Sequence, residues 1–292
     1  MSRWWFGEVP AARTATVRTL VFGYAAVWLT VRSAYVIDTA RLPDRRFEPV
    51  GIWAALDDPL PVGVVGALLA TGIVGCGLAA FGRWATLTVP IGAVAATAVI
   101  TASNSWGQVF HTENLLVLHL LVFAGAAVLG ARLTDGWPLR LASVLTVTVY
   151  VLAGWAKLDI GGTDWLAGDV LRNQVAYDNL RKILLGDVHS PVGGWLVGID
   201  AVWVPIGVLT LVVELGAPFA LLGGRIRTAW VGAAWLFHLA ILATMAILFP
   251  YPLSGIAFVS MFDAERLRPL VGRVTGFSRR SRTAPSPPPD RH

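Results

Sequence analysis

One cysteine, Cys76, stands among the 292 residues, which excludes an internal disulfide and any metal site built from several thiolates. It lies in an apolar run and reads as a small packing residue. Charge is also scarce. Only 14% of residues are charged, against about 25% in an ordinary soluble domain, too few to coat a water-exposed surface. No HExxH or paired-cysteine spacing is present, so no metal site is predicted. Gly161–Gly162 has no strand–loop–helix context that would make it a nucleotide loop. The net charge of +5 comes from residues between and after apolar runs, not from a basic patch interleaved with aromatics, so nucleic acid is not the expected partner.

Apolar residues are what the chain has in excess. They make up 55% of it, mean hydropathy is +0.65, and no soluble core of this size could hide them. Lipid is the expected solvent, and a polytopic, all-α transmembrane helix bundle the expected fold. Runs long enough to cross lie near 18–38, 60–81, 84–103, 113–132, 139–157, 201–223 and 228–249. The first resembles a signal peptide because Arg3, Arg13 and Arg18 precede it, but its length and the runs that follow favour an uncleaved helix. Pro250 and Pro252 must disturb any helix continuing past Phe249. The following stretch, 253–263, either completes an eighth crossing through a kinked helix or re-enters and returns.

Lys and Arg between short runs orient the bundle. Arg3, Arg13 and Arg18, then Arg83, Arg132 with Arg140, and Arg225 with Arg227 collect on one side, expected to be cytoplasmic. Loops 39–59, 104–112 and 158–200 go to the other side. They hold most of the aspartates, together with Arg41, Arg45, Arg46, Arg172, Arg181 and Lys182. The arginines after Asp263 put the carboxyl terminus with the amino terminus, which requires an even number of crossings; eight is the expected count. The expected location is a cell membrane, with both termini cytoplasmic.

Residues 1–270 read as one membrane domain and 271–292 as a basic tail rich in proline and serine, which cannot build a packed element. In 170–185, apolar residues recur at helical intervals among polar ones. This predicts an amphipathic helix in the external headgroup plane, with Trp195 as an interfacial ring after it. Gly72, Cys76 and Ala80 recur every four residues, a spacing that lets helices approach closely. Asp164–Gly168, DWLAG, reads as the entry to a helix.

The candidate chemistry gathers at one predicted face. Asn104 and Gln108 follow the third run, His111, Glu113 and Asn114 open the fourth, and Lys157 and Asp159 close the fifth. Lys157 is either a snorkelling anchor or a base whose pKa falls when its ammonium is desolvated. Asp159 is either its counter-ion or a solvated end residue. Glu113 and Asn114 suit a helix start. Three polar residues lie within runs: Arg32, Glu214 and His238. Glu214 needs a partner or a proton, and His238 is one group that could bond to it.

These pieces carry a resemblance: HTENLL at His111–Leu116, YVLAGWAKLD at Tyr150–Asp159, DWLAG, LVVELGAPFALL at Leu211–Leu222, and FHLAI through FPY from Phe237 to Tyr251. In that order they resemble the HTTM family, the membrane domain related to vitamin K-dependent gamma-carboxylase, over about 18–262. The resemblance implies that Lys157 is the base for oxidation of a reduced isoprenoid naphthoquinone and that His111 assists at the reacting quinone. Asn114, Tyr150, Trp155 and Asp159 are the remaining residues expected around it. The animal carboxylase adds a large lumenal region that helps engage its glutamate-containing protein substrate. No such region is seen here, so carboxylation of a protein would need a separate protein partner.

Three functions follow as expectations. The first is an oxygen-dependent quinol-oxidising or carboxylase-like enzyme at the external face. The second is a non-catalytic lipid- or protein-binding subunit of an export, maturation or immunity system. The third is a transporter using Arg32, Glu214 and His238, disfavoured because no inverted repeat is visible.

Overall fold

The computed structural model describes residues 2–107 and 111–267. Gln108 and the predicted tail, 271–292, lie outside them. Among the described residues the chain is all-helical, with one isolated backbone bridge between Glu8 and Asp135. Helices satisfy their own backbone groups, which is what an apolar solvent demands. Twelve α-helices are numbered in order: α1 (Ser2–Phe6), α2 (Ala11–Val31), α3 (Ser33–Thr39), α4 (Val62–Ala80), α5 (Ala85–Ser103), α6 (Asn114–Val128), α7 (Trp137–Ala167), α8 (Asp169–Leu184), α9 (Pro191–Val197), α10 (Trp203–Leu215), α11 (Gly224–Met245) and α12 (Pro250–Leu253).

Six of these segments are long and apolar enough to cross a membrane: α2, α4, α5, α6 with its 3-10 lead-in from His111, α7 and α11. Counting Pro191–Val197 with Asp200–Leu215, two pieces meeting at 99°, makes seven. By helix length and composition the count is six or seven, which leaves the expected eight unconfirmed. The run 201–223 is itself divided, since α10 stops at Leu215 and a 3-10 stretch, Ala217–Leu222, completes it.

The last segment takes the course of the returning alternative expected for 253–263, but as short helical pieces and not as one kinked helix. Helix α11 ends at Met245, and Ala246 adopts a left-handed conformation (φ 49°). The chain then runs back through the bundle to the arginine-rich end as α12 and two 3-10 stretches, Ile256–Met261 and Ala264–Leu267. Its contacts mark the path. Tyr251 bonds to His119, the Thr146 hydroxyl lies 3.3 Å from the Ala257 carbonyl, and Ser260 meets Ser143 at 3.0 Å. Arg227 donates to the Met261 carbonyl, and Arg13 pairs with Asp263 and Glu265. Irregular backbone at such depth is tolerated because protein covers it: Tyr251, Ala257 and Phe258 are fully buried. At the mouth of this path the Arg13 hydrogen bond holds the Glu265 carboxyl at about 2, well below the usual carboxylate range.

Close approach in the first half depends on absent side chains. A Cβ at Gly92 would stand 2.7 Å from the Cys76 nitrogen, and one at Gly75 2.9 Å from Gly92 Cα. The Gly72–Cys76–Ala80 stripe is buried, with Gly72 set against Leu29 of α2 and the α5 backbone. In the second half, α7 is 31 residues long, about 46 Å, well beyond a hydrocarbon layer of about 30 Å. It passes the expected end at 157, breaks at Gly162 (φ 52°) and closes at Gly168 (φ 85°). The DWLAG stretch thus ends a helix. Gly168 is required there twice over: its φ suits glycine, and a Cβ would lie 2.5 Å from the Trp203 carbonyl carbon.

Candidate functional site

Helix geometry selects which residues can share a site with Lys157. Gly154 and Tyr150, three and seven positions earlier, fall on its face of α7, whereas Trp155 and Asp159, two positions away, are turned by about 200°. Because Gly154 has no side chain, α10 comes close enough that a Cβ there would meet Glu214 Cβ at 2.9 Å. Glu214 is consequently delivered to Lys157. The Lys157 Nζ lies 2.5 Å from Glu214 Oε1, with side-chain exposures of 22% and 3%. An ammonium partly open and a carboxylate closed to solvent is an unequal pair: the lysine is still in reach of solvent, the glutamate is not. The Trp165 ring, 5.3 Å from Nζ, forms one wall and is itself anchored by Nε1 donating to Thr210 Oγ1.

Two turns deeper on the same face, Tyr150 Oη and His238 Nε2 are 2.8 Å apart. Trp230 packs edge-on against Tyr150, and its Nε1 donates to the Val213 carbonyl, next to Glu214. Phe249 of the return segment lies against both His238 and His111, with ring centroids 4.8 and 5.4 Å away. Two buried polar atoms in this cluster have no hydrogen-bond partner: Glu214 Oε2 and His238 Nδ1. A buried group left unpaired costs about 1–3 kcal/mol, so each of these atoms is a polar group in want of a partner.

The expected residues therefore divide. Lys157 and Tyr150 belong to the cluster, and His111 reaches it through Phe249. No hydrogen bond or ion pair joins His111 to Lys157 among the described residues; both lie within electrostatic reach of His238. Trp155 is 62% exposed on the outer side of α7, and Asp159 and Asn114 are also exposed. The structure places all three away from the Lys157–Glu214 and Tyr150–His238 contacts, Trp155 and Asp159 by helical phase on α7 and Asn114 by its exposed position at the start of α6. The counter-ion of Lys157 is Glu214, not Asp159, and the partner of His238 is Tyr150, not Glu214. Glu113 is buried and accepts a hydrogen bond from Thr112 Oγ1 at 2.6 Å, without a side-chain cap on α6. The Arg32 guanidinium lies 3.9 Å from the Tyr35 ring centroid and 5.4 Å from that of Trp28.

Sequence reasoning passed over His119. It is 1% exposed, with Nδ1 2.7 Å from Tyr251 Oη and Nε2 3.0 Å from Thr146 Oγ1. The Thr146 hydroxyl gives its hydrogen to a carbonyl, so Nε2 must donate to it and Nδ1 accepts from Tyr251. Both ring nitrogens are satisfied, which makes this histidine a fastener for the return segment. The available signal was a histidine eight residues after His111 on one apolar helix. No family model, curated protein or solved structure matches the chain.

Proposed function

We propose that the protein is an integral membrane enzyme of the HTTM type, in which Lys157 accepts a hydroxyl proton from a reduced isoprenoid naphthoquinone. In this reading both termini are cytoplasmic and Lys157 lies toward the external face. The observation that carries the proposal is the buried Lys157–Glu214 pair with unpartnered polar atoms, Glu214 Oε2 and His238 Nδ1, in the same cluster. Their chemistry fits a dihydroxy aromatic, which can offer a hydrogen to a carboxylate oxygen and exchange one with an imidazole nitrogen. When bound, the quinol supplies the reducing electrons, with molecular oxygen as oxidant.

The residues' part is proton handling. An ammonium cannot act as a base, so the Lys157 proton must first move to Glu214 along their 2.5 Å hydrogen bond, leaving an amine and a carboxylic acid. The amine then takes the hydroxyl proton, and the ammonium is re-formed. Tyr150 fixes the His238 ring, and His111 is the group expected to hold the oxygen that has lost its proton. Purified protein is expected to oxidise reduced naphthoquinone in an oxygen-dependent way, and Lys157→Ala to abolish turnover. Equal rates in parent and variant would remove Lys157 from the chemistry.

A second reading, a non-catalytic subunit that binds lipid or a separate protein, is favoured by the ion pair itself, because a lysine satisfied by a carboxylate is also a structural fastener. That reading expects one defined protein to co-purify with both parent and Lys157→Ala, with no quinol oxidised by either.

A further inference from the structure

Helix α8 is turned inside out. Its inward stripe is Val175, Asn179 and Lys182, exposed by 1%, 4% and 6%. Its outward stripe begins with Asn173 and Gln174 and changes at Tyr177 to Leu180, Ile183 and Leu184, all more than half exposed. The expected single apolar face on 170–185 is thus divided, with Val175 inside and the later leucines outside.

The inward polarity has a cause. The final carbonyls of a helix lack intrahelical partners, and a cation is favoured near them. At the end of α11, Ser190 Oγ donates to the Ala243 carbonyl, Asn179 Nδ2 to Thr244 and Lys182 Nζ to Met245. Asp178 Oδ2, 2.7 Å from Lys182 Nζ, neutralises that lysine. With its amide and ammonium committed inward, the second half of α8 presents Leu180, Ile183 and Leu184 outward, with Arg181, paired to Asp178, 40% exposed beside them. Along the chain Leu185, Val188 and Trp195 are exposed by 69%, 74% and 68%, with exposed Asp187 and His189 among them.

We infer that the second half of α8, with Leu185 and Val188, is embedded among the acyl chains and headgroups of the leaflet on the Lys157 side, while Asn173 and Gln174 remain in water. Depth argues for lipid as the occupant. Helix α11 is 22 residues, about 33 Å, with Arg225 and Arg227 at its start, so its capped end reaches the opposite boundary of a hydrocarbon layer about 30 Å thick. On α7, which packs against α8, Trp155 and Ile160 are also 62% and 87% exposed. A helix that is polar outside at one end and apolar outside at the other lies tilted across the interface, its two ends about 24 Å apart.

Nitroxide labels at Asn173→Cys, Leu184→Cys and Val188→Cys test this in full-length protein in phosphatidylcholine–phosphatidylglycerol nanodiscs. All three positions are exposed, and buried Cys76 does not compete for label. The ratio of accessibility to oxygen over that to a water-soluble nickel chelate is expected to be several-fold higher at 184 and 188 than at 173. Equal nickel access at all three sites overturns the inference in favour of water. Shielding of 184 from both reagents overturns it in favour of a protein partner, and an oxygen-dominated ratio at 173 overturns the tilt.

Discussion

The two halves of the bundle solve the same packing problem differently. Helix α5 buries 61% of its apolar window and α11 only 17%. The first half achieves its burial with glycine and alanine: α4 and α5 meet backbone to backbone at Gly75 and Gly92, and lipid-like side chains fill what remains. The second half is held by polar fasteners: Lys157 to Glu214, Tyr150 to His238, and His119 to Tyr251. Close backbone contact tolerates almost no change of shape, whereas a hydrogen-bonded cluster can exchange a proton or a partner without moving a helix. The half held by polar fasteners is the half that contains the Lys157–Glu214 and Tyr150–His238 contacts.

The sharpest break in that contrast is Gly92→Leu. Its new side chain has nowhere to go within 2.7 Å of the Cys76 nitrogen, and overpacking costs about 1–3 kcal/mol even where neighbours can yield. Loss of the monodisperse folded species on size exclusion is expected. Next comes the ion pair. Lys157→Ala leaves Glu214, 3% exposed, without its counter-ion and should destabilise by about 3–5 kcal/mol. The double variant Lys157→Met/Glu214→Leu should recover most of that loss in thermal unfolding. If it is as unstable as Lys157→Ala, the cost lies in packing around Gly154 and not in the orphaned charge.

A smaller effect is expected for Tyr150→Phe, which leaves His238 with neither ring nitrogen bonded; about 1–3 kcal/mol is the range for such a loss. The same change on the proposed reaction should lower turnover more than it lowers quinol affinity. The smallest effect is at the arginine-rich end. The folded-state carboxyl of Glu265 is depressed to about 2, so its contribution is fully present above the ordinary glutamate value of about 4.3 and is lost as pH falls toward 2. Glu265→Gln should therefore be less stable than the parent at pH 6, and the gap should narrow steadily below pH ~4. A gap independent of pH would assign the effect to packing at the end of the return segment.

The legible and illegible parts of the site follow from range. Proline at 250 and 252 and the length of each apolar run are local facts, and the helices they imply are there except over the divided run 201–223, with α11 ending shortly before Pro250. That Glu214 needed a partner was also visible, because a carboxylate in an apolar run is costly. Which partner was not. His238 and Lys157 were both available in sequence, and the choice depended on Gly154 letting α10 approach α7. Trp155 and Asp159 were misplaced for a simpler reason, since their proximity in sequence to Lys157 concealed a rotation of about 200°. The division of α8 was invisible too, because its inward polar stripe answers to carbonyls at the end of α11, more than sixty residues later.

What the amino-acid order settled alone is the solvent and the element type: runs of about twenty apolar residues leave a chain no stable form in lipid except one that satisfies its own backbone. Which charges meet was decided only by the tertiary structure. Lys157 and Glu214 are 57 residues apart, and their contact depends on one missing side chain at a helix crossing. Periodicity describes one helix at a time, but the cost of a buried charge is set by its neighbour on another.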